Sequence, residues 1–203
     1  MCWIMVKKPQ NPVPFDFIDE AQKRNKDGYG VSWIKDGVIS TFKTLDYPEF
    51  IAHIRTIQDC LMVVHLRYTS AGTTCADNIH PFPVPTGVMF HNGTISNLKT
   101  TVGTDSDTNI LAQLISETKF EKISDIKPLL QAITGTSYNK LVFLNKDGTV
   151  DIINPELGIT DENGNCGCGC SNPNCGCQNK HCNGNCCADK GCGENHHFIL
   201  LDR

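Results

Sequence analysis

From Asn163 to Asn195 the chain carries no Val, Ile, Leu, Met, Phe, Tyr or Trp and consists largely of Cys, Gly and Asn. Such a stretch cannot bury enough apolar surface to offset the entropy of ordering its backbone. The core must therefore come from the residues before it and from the short apolar run after it, Phe198-Ile199-Leu200-Leu201. That run reads as a final strand rejoining the main domain, which makes the Cys-rich stretch an insertion and not a tail. The expected division is residues 1–160 as the main domain, 161–195 as the insertion and 196–203 as the returning strand.

Within the main domain the apolar pattern alternates between strand and helix periods. Cys2 to Val6 reads as a buried strand, and Phe15 to Arg24 as a short helix. Val31 to Ile34 and Val38 to Phe42 flank Lys35-Asp36-Gly37, a hairpin signal. Tyr47 to Asp59 reads as a helix with Pro48 in its tolerated first turn. Leu61 to Leu66 and Gly87 to Phe90 read as strands. Asp105-Ser106-Asp107-Thr108 opens a helix over Asn109 to Glu117, a good N-cap signal. A further helix is expected over Ile123 to Ile133, then a hairpin from Lys140 to Leu144 and Thr149 to Ile153. This order predicts an α+β domain on antiparallel sheet.

Composition narrows the function. Hydrophobic residues make up 39% and charged residues 20%, ordinary for a soluble globular protein. The net charge of -4, with no basic stripe, argues against nucleic acid as a partner. No apolar run reaches membrane-spanning length. The N-terminal MCWIMVKKPQ does not read as a secretory signal. A cytoplasmic, reducing location is the expectation.

The polar residues cluster where strands give way to loops: His65-Leu66-Arg67-Tyr68-Thr69-Ser70-Ala71-Gly72, His80-Pro81-Phe82 and His91-Asn92-Gly93-Thr94-Ile95-Ser96-Asn97. Taken singly they have ordinary readings. Cys2 is a small buried hydrophobe, Arg67 a surface ion pair, Asn92-Gly93 a hairpin turn and Asp107 a helix cap. His65 and His91 read equally as structural histidines. Taken together, Cys2 after the initiator Met, H-x-R-Y-x-S-x-G, His80-Pro81-Phe82, H-N-G-x-I-x-N and Ser106-Asp107-Thr108 occur in one order. In that order they resemble the glutaminase domain of the class II glutamine amidotransferases, members of the N-terminal-nucleophile hydrolases. The resemblance covers roughly residues 2 to 155 and implies a four-layer αββα sandwich. It departs from the family pattern at Tyr68, where many relatives carry Trp.

The resemblance implies removal of Met1, so that Cys2 becomes the first residue and attacks the side-chain amide of glutamine. Its free α-amine is the implied general base, with an unperturbed pKa of roughly 8. Asn92 and Gly93 are the implied oxyanion hole. Arg67 suits the α-carboxylate of glutamine, because a guanidinium binds it with two parallel hydrogen bonds. Asp107 suits the α-ammonium, and the backbone of Thr69 to Gly72 with His80 lines the pocket. No cofactor is needed for this chemistry. Residues 156 to 203 hold nothing resembling an ammonia-using domain, so the expected partner is a separate acceptor enzyme. Two rivals remain: an amidohydrolase for another amide, and a non-catalytic relative acting in metal binding or assembly.

Nine of the 12 cysteines lie in the insertion: Cys166, Cys168, Cys170, Cys175, Cys177, Cys182, Cys186, Cys187 and Cys192. Repeated Cys-x-Cys is reminiscent of metallothioneins, whose thiolates share several soft ions. Zinc or another thiophilic metal is the expected ligand. Iron–sulfur spacings are absent. A disulfide-stapled loop, disfavoured by the odd count and a reducing compartment, and an unliganded loop are the competing readings.

Overall fold

The structure, a computed structural model, describes residues 2–70, 72–98, 105–135, 139–155, 159–161 and 198–201. The first strand, β1 (Trp3–Lys7), is buried along its whole length. Its alternation sorts the molecule into layers. Trp3 and Met5 pack with Ile18 of α1 (Phe15–Gln22) and with Phe50 and Ile54 of α2 (Tyr47–Arg55). Ile4 and Val6 point the other way, into a second sheet. Lys7 is buried as well, and its ammonium donates to the carbonyls of Pro9, Gln58 and Cys60.

The strands β2 (Tyr29–Lys35) and β3 (Val38–Thr44) form the hairpin expected at Asp36-Gly37. β2 pairs with β4 (Leu61–Leu66), and β4 pairs antiparallel with β1. β1 also pairs, in parallel, with Phe198–Leu201, which lies in turn beside Ile159–Asp161. The large sheet is thus mixed rather than wholly antiparallel. Parallel neighbours need a long connection, and residues 162–197 supply that length. The second sheet, β5 (Phe82–Val84), β6 (Gly87–Asn92), β7 (Lys140–Asn145) and β8 (Val150–Ile153), is antiparallel throughout.

Behind this second sheet, α3 (Asp107–Ser116) and α4 (Ile123–Thr134) bury Leu111, Ile115, Ile123 and Leu130 against Met89, Leu141 and Phe143. Between the sheets, Ile4, Val6 and Val63 meet Phe90, Val142 and Leu144. The described residues therefore stack as helices, sheet, sheet, helices. Among them, no helix is long and apolar enough to cross a membrane.

Boundaries differ from the sequence pattern for local reasons. α2 stops at Arg55, because the Thr56 hydroxyl and the Gln58 amide bond the carbonyls of His53 and Arg55. β5 is masked in the sequence by Pro81 and Pro83, but a strand at the sheet edge tolerates the missing N–H. β6 continues past Phe90, since His91 and Asn92 stay in register with Leu141 and Lys140. Asn92-Gly93 is consequently a strand end and not a hairpin turn.

One close approach couples the first sheet to the segment carrying His80. A Cβ added at Gly30 would lie 1.7 Å from the His80 carbonyl oxygen, a backbone atom that cannot rotate aside. Gly30→Ala is expected to lower stability by about 2–3 kcal/mol, read as a lower urea midpoint. An unchanged midpoint would mean that the strand and the His80 segment do not pack this tightly.

Candidate active site

The two sheets end in an unusual concentration of buried polar side chains: His65, Arg67, His80, His91, Asn92 and Asp107. Burial of such groups is costly unless they are paired, so their partners are informative. Alternation along β1 puts Cys2 on the same face as Ile4 and Val6, looking between the sheets. The register Ile4↔His65 and Trp3↔Leu66 continues to set Cys2 opposite Arg67.

Cys2 is 6% exposed, and its Sγ lies 3.5 Å from both the N–H and the carbonyl oxygen of Tyr68. Burial pushes its thiol pKa up, opposed by the Tyr68 N–H and by the charge of Arg67. The resting sulfur is a thiol, so a nucleophilic role requires a base to take its proton.

The loop after β4 is pinned from below. Arg67 N–H bonds the Gly28 carbonyl at 2.8 Å, and the Asp27 carboxylate accepts the Thr69 N–H at 2.6 Å. Arg67 Nη1 donates to the Thr73 carbonyl at 3.0 Å. That carbonyl also receives Asn78 Nδ2 at 3.0 Å, and Asn78 Oδ1 accepts the Ser106 N–H at 2.9 Å. Asn78 thus fastens the Arg67 loop to the start of α3. Ser106 caps that helix by accepting the Asn109 N–H. Asp107, in its first turn, accepts the Ile95 N–H at 2.6 Å and the Thr108 N–H at 2.9 Å. Two backbone donors fix the carboxylate's position.

Gly93 follows β6 with φ +140°, a backbone conformation that an L side chain rarely adopts. His65 and His80 stack with ring centroids 4.0 Å apart. Burial pushes the His65 pKa down to about 3 and holds His80 well below its ordinary range, so the stack is neutral. Both ring nitrogens of His80 are buried and lack a hydrogen-bond partner among the described residues.

Cys2, Arg67, His80, Gly93 and Asp107 line one cavity, together with Tyr68, Ser70, His91, Ser106 and Thr108. Asn92 is fully buried one residue before the cavity wall and does not line it. The enclosed part of the cavity is about 10 Å³, and the open depression around it about 250 Å³. The enclosed part is room for roughly one water molecule, so the side chain of glutamine enters only if the walls part. A larger cavity of about 590 Å³ lies between residues Phe120 to Ser124 and the turn joining β7 to β8, and its lining has no cysteine or histidine.

His91, Thr108, Asn78 and Asn139 carry the hydrogen bonding of the site, and of these Asn78 and Asn139 did not stand out in the sequence. His91 was ambiguous there, and Ser106 to Thr108 drew attention as a capping pattern and as one of the motifs in family order. The nine cysteines expected to hold metal all lie outside the described residues. Among the described residues, no group of three or more His, Cys, Asp or Glu side chains comes together as a metal site.

No protein-family model matches the chain, and no curated protein does so. Among solved structures it is similar to glutamine phosphoribosylpyrophosphate (PRPP) amidotransferase from B. subtilis, complexed with ADP and GMP. The identity is 19% and the TM-score 0.47, over 71% of this chain and 34% of that one. The chain spans about a third of that enzyme's length. At this degree of likeness the chemistry of the site rests on its own geometry.

Proposed function

We propose that the protein hydrolyses the side-chain amide of glutamine with Cys2 as an N-terminal nucleophile, as a class II glutamine amidotransferase of the N-terminal-nucleophile hydrolase kind. The observation that carries this reading is the shared lining of one cavity by Cys2, Arg67, Gly93 and Asp107. A thiol, a guanidinium, a glycine N–H and a carboxylate match the amide carbon, α-carboxylate, oxyanion and α-ammonium of a single free glutamine.

The sequence of events follows from those roles. With Met1 removed, the Cys2 α-amine takes the thiol proton while Sγ bonds to the amide carbon. The carbonyl electrons move onto oxygen, where the Gly93 N–H stabilises them; the Asn92 side-chain amide, buried behind the wall, joins it once the walls part to admit the substrate. The C–N bond breaks, and the protonated α-amine returns its proton to the departing ammonia. Water then adds to the thioester, giving its proton to the α-amine. Collapse releases glutamate and restores the thiol. Arg67 and Asp107 hold the two charged ends of the substrate throughout, and His80 forms part of the wall. The ammonia goes to an acceptor domain or enzyme. Zinc or another thiophilic metal is the proposed ligand of the cysteines from Cys166 to Cys192, with no part in the hydrolysis.

The small enclosed volume favours a second reading, a chain that keeps this fold for metal binding or assembly and does not turn glutamine over. Intact-protein mass spectrometry with 6-diazo-5-oxo-norleucine separates the two. Hydrolysis requires loss of the Met1 mass and one covalent adduct mapping to Cys2. A retained Met1 with no adduct puts the non-catalytic reading first.

A further inference from the structure

Behind Asp107 a chain of buried polar groups runs away from the cavity and takes no part in the reaction above. His91 Nδ1 lies 2.8 Å from Thr108 Oγ1, and His91 Nε2 lies 3.0 Å from Asn139 Oδ1. Asn139 Nδ2 donates to the Thr134 carbonyl at 2.8 Å. Asn154 Nδ2 reaches the carbonyls of Asn139 and Gly135, each at 2.8 Å. Four of these five bonds are buried and the one to Gly135 is partly so, and they join α3, β6, the end of α4 and the residue after β8.

The donors and acceptors fix the protons. The Thr134 carbonyl can only accept, so the Asn139 amide nitrogen must face it and the amide oxygen must face His91. An amide oxygen can only accept, so Nε2 of His91 carries a hydrogen. In a neutral ring Nδ1 is then an acceptor and takes the Thr108 hydroxyl. That hydroxyl has one hydrogen, and Asp107 Oδ1, 3.4 Å away, is its other possible acceptor.

We infer that His91 is a positioning residue: held neutral with its proton on Nε2, it draws the Thr108 hydroxyl away from Asp107 and leaves the Asp107 carboxylate open to a substrate ammonium. This rests on the reading of Asp107 as the ammonium site. Protonation of His91 reverses the arrangement. Nδ1–H would donate to Thr108 Oγ1, the hydroxyl would turn to Asp107, and a positive charge would stand behind the ammonium site. The charged and titratable groups facing His91 are Asp107 from α3, Lys140 from β7, His65 from β4 and His80 ahead of β5. Burial lowers the His91 pKa most, Asp107 and the Asn139 hydrogen bond act against it, and Lys140 reinforces it. The neutral form therefore extends to lower pH than for an ordinary histidine, and glutamine affinity falls when acid overcomes this.

The test is Asn139→Asp, which places a carboxylate on Nε2–H and raises the His91 pKa. Its KM for glutamine should be about tenfold higher at about pH 6 than at about pH 8, with kcat nearly unchanged and a smaller change in the wild type over the same range. KM for glutaramate, glutamine without its α-amino group, should not move. A variant whose KM tracks the wild type, or one in which both substrates move alike, overturns the inference. Imidazole 15N NMR of the full wild-type chain decides it independently, should the variant not fold. A neutral ring protonated on Nε2 supports it, and one protonated on Nδ1 overturns it. A wild type that hydrolyses neither amide refutes the glutaminase reading, while the tautomer is still read by NMR.

Discussion

Cys2→Ala is expected to reduce glutamine hydrolysis by about 10⁴-fold or more, with a stability loss of only about 1 kcal/mol. Among the described residues lining the cavity, Cys2 alone carries a thiol. Cys60 lies on the far side of the first sheet's core, packed against the cluster of Trp3, Phe50 and Ile54. Cys60→Ala should accordingly retain activity. A sharper control leaves the thiol intact and blocks only the base. A lysine inserted between Met1 and Cys2 prevents exposure of the Cys2 amine, and the loss should be as large as that of Cys2→Ala. The reasoning is that burial raises the thiol pKa, so the sulfur cannot attack without a neighbour to take its proton. Ammonia release, measured with and without the insertion, checks this. Full activity in the inserted chain would rule out the α-amine as base.

Asp107→Asn should raise KM for glutamine by about 10²-fold or more, with a smaller effect on glutaramate. The carboxylate is 5% exposed and pinned by the N–H groups of Ile95 and Thr108. An asparagine has one acceptor oxygen for those two donors. One N–H loses its partner, and a neutral amide then meets the substrate ammonium. Both changes oppose binding, whereas the sulfur, the oxyanion donors and Arg67 are untouched. The two substrates tell them apart, because glutaramate feels only the local distortion. Steady-state kinetics with both amides reads the difference. An equal rise for the two would mean that Asp107 acts through folding and not through the α-ammonium.

Much of the layering was legible because β1, β4 and the two α-helical pairs have clean apolar periods, and a buried face leaves a direct mark on sequence. The β2–β3 hairpin was legible through Asp36-Gly37. β5 was not, since the prolines on either side of Phe82 imitate a loop and an edge strand has no second neighbour to reveal it. The parallel pairing of Phe198–Leu201 was equally hidden, because strand direction depends on how the connection runs and not on the residues within the strand.

At the site, single residues misled where their motif informed. Arg67 read as a surface ion pair is in fact 2% exposed. Asn92-Gly93 read as a turn is the end of a paired strand. Asn139 carried no signal at all, because an asparagine ahead of an apolar run looks like any loop residue until its amide is seen between His91 and the end of α4.

Cys2, His65 and Arg67 occupy successive rungs of the same inward-facing rows as Ile4, Val6 and Val63. Reactivity and cohesion are thus written on one surface. Neutral drift among the aliphatic residues of that surface is constrained twice over, since a lost methyl group that the fold tolerates would still tilt the row on which the sulfur stands. Laboratory evolution toward a wider cavity would find its variants around Tyr68, Ser70 and Gly93, past the strand ends, sooner than in the strands.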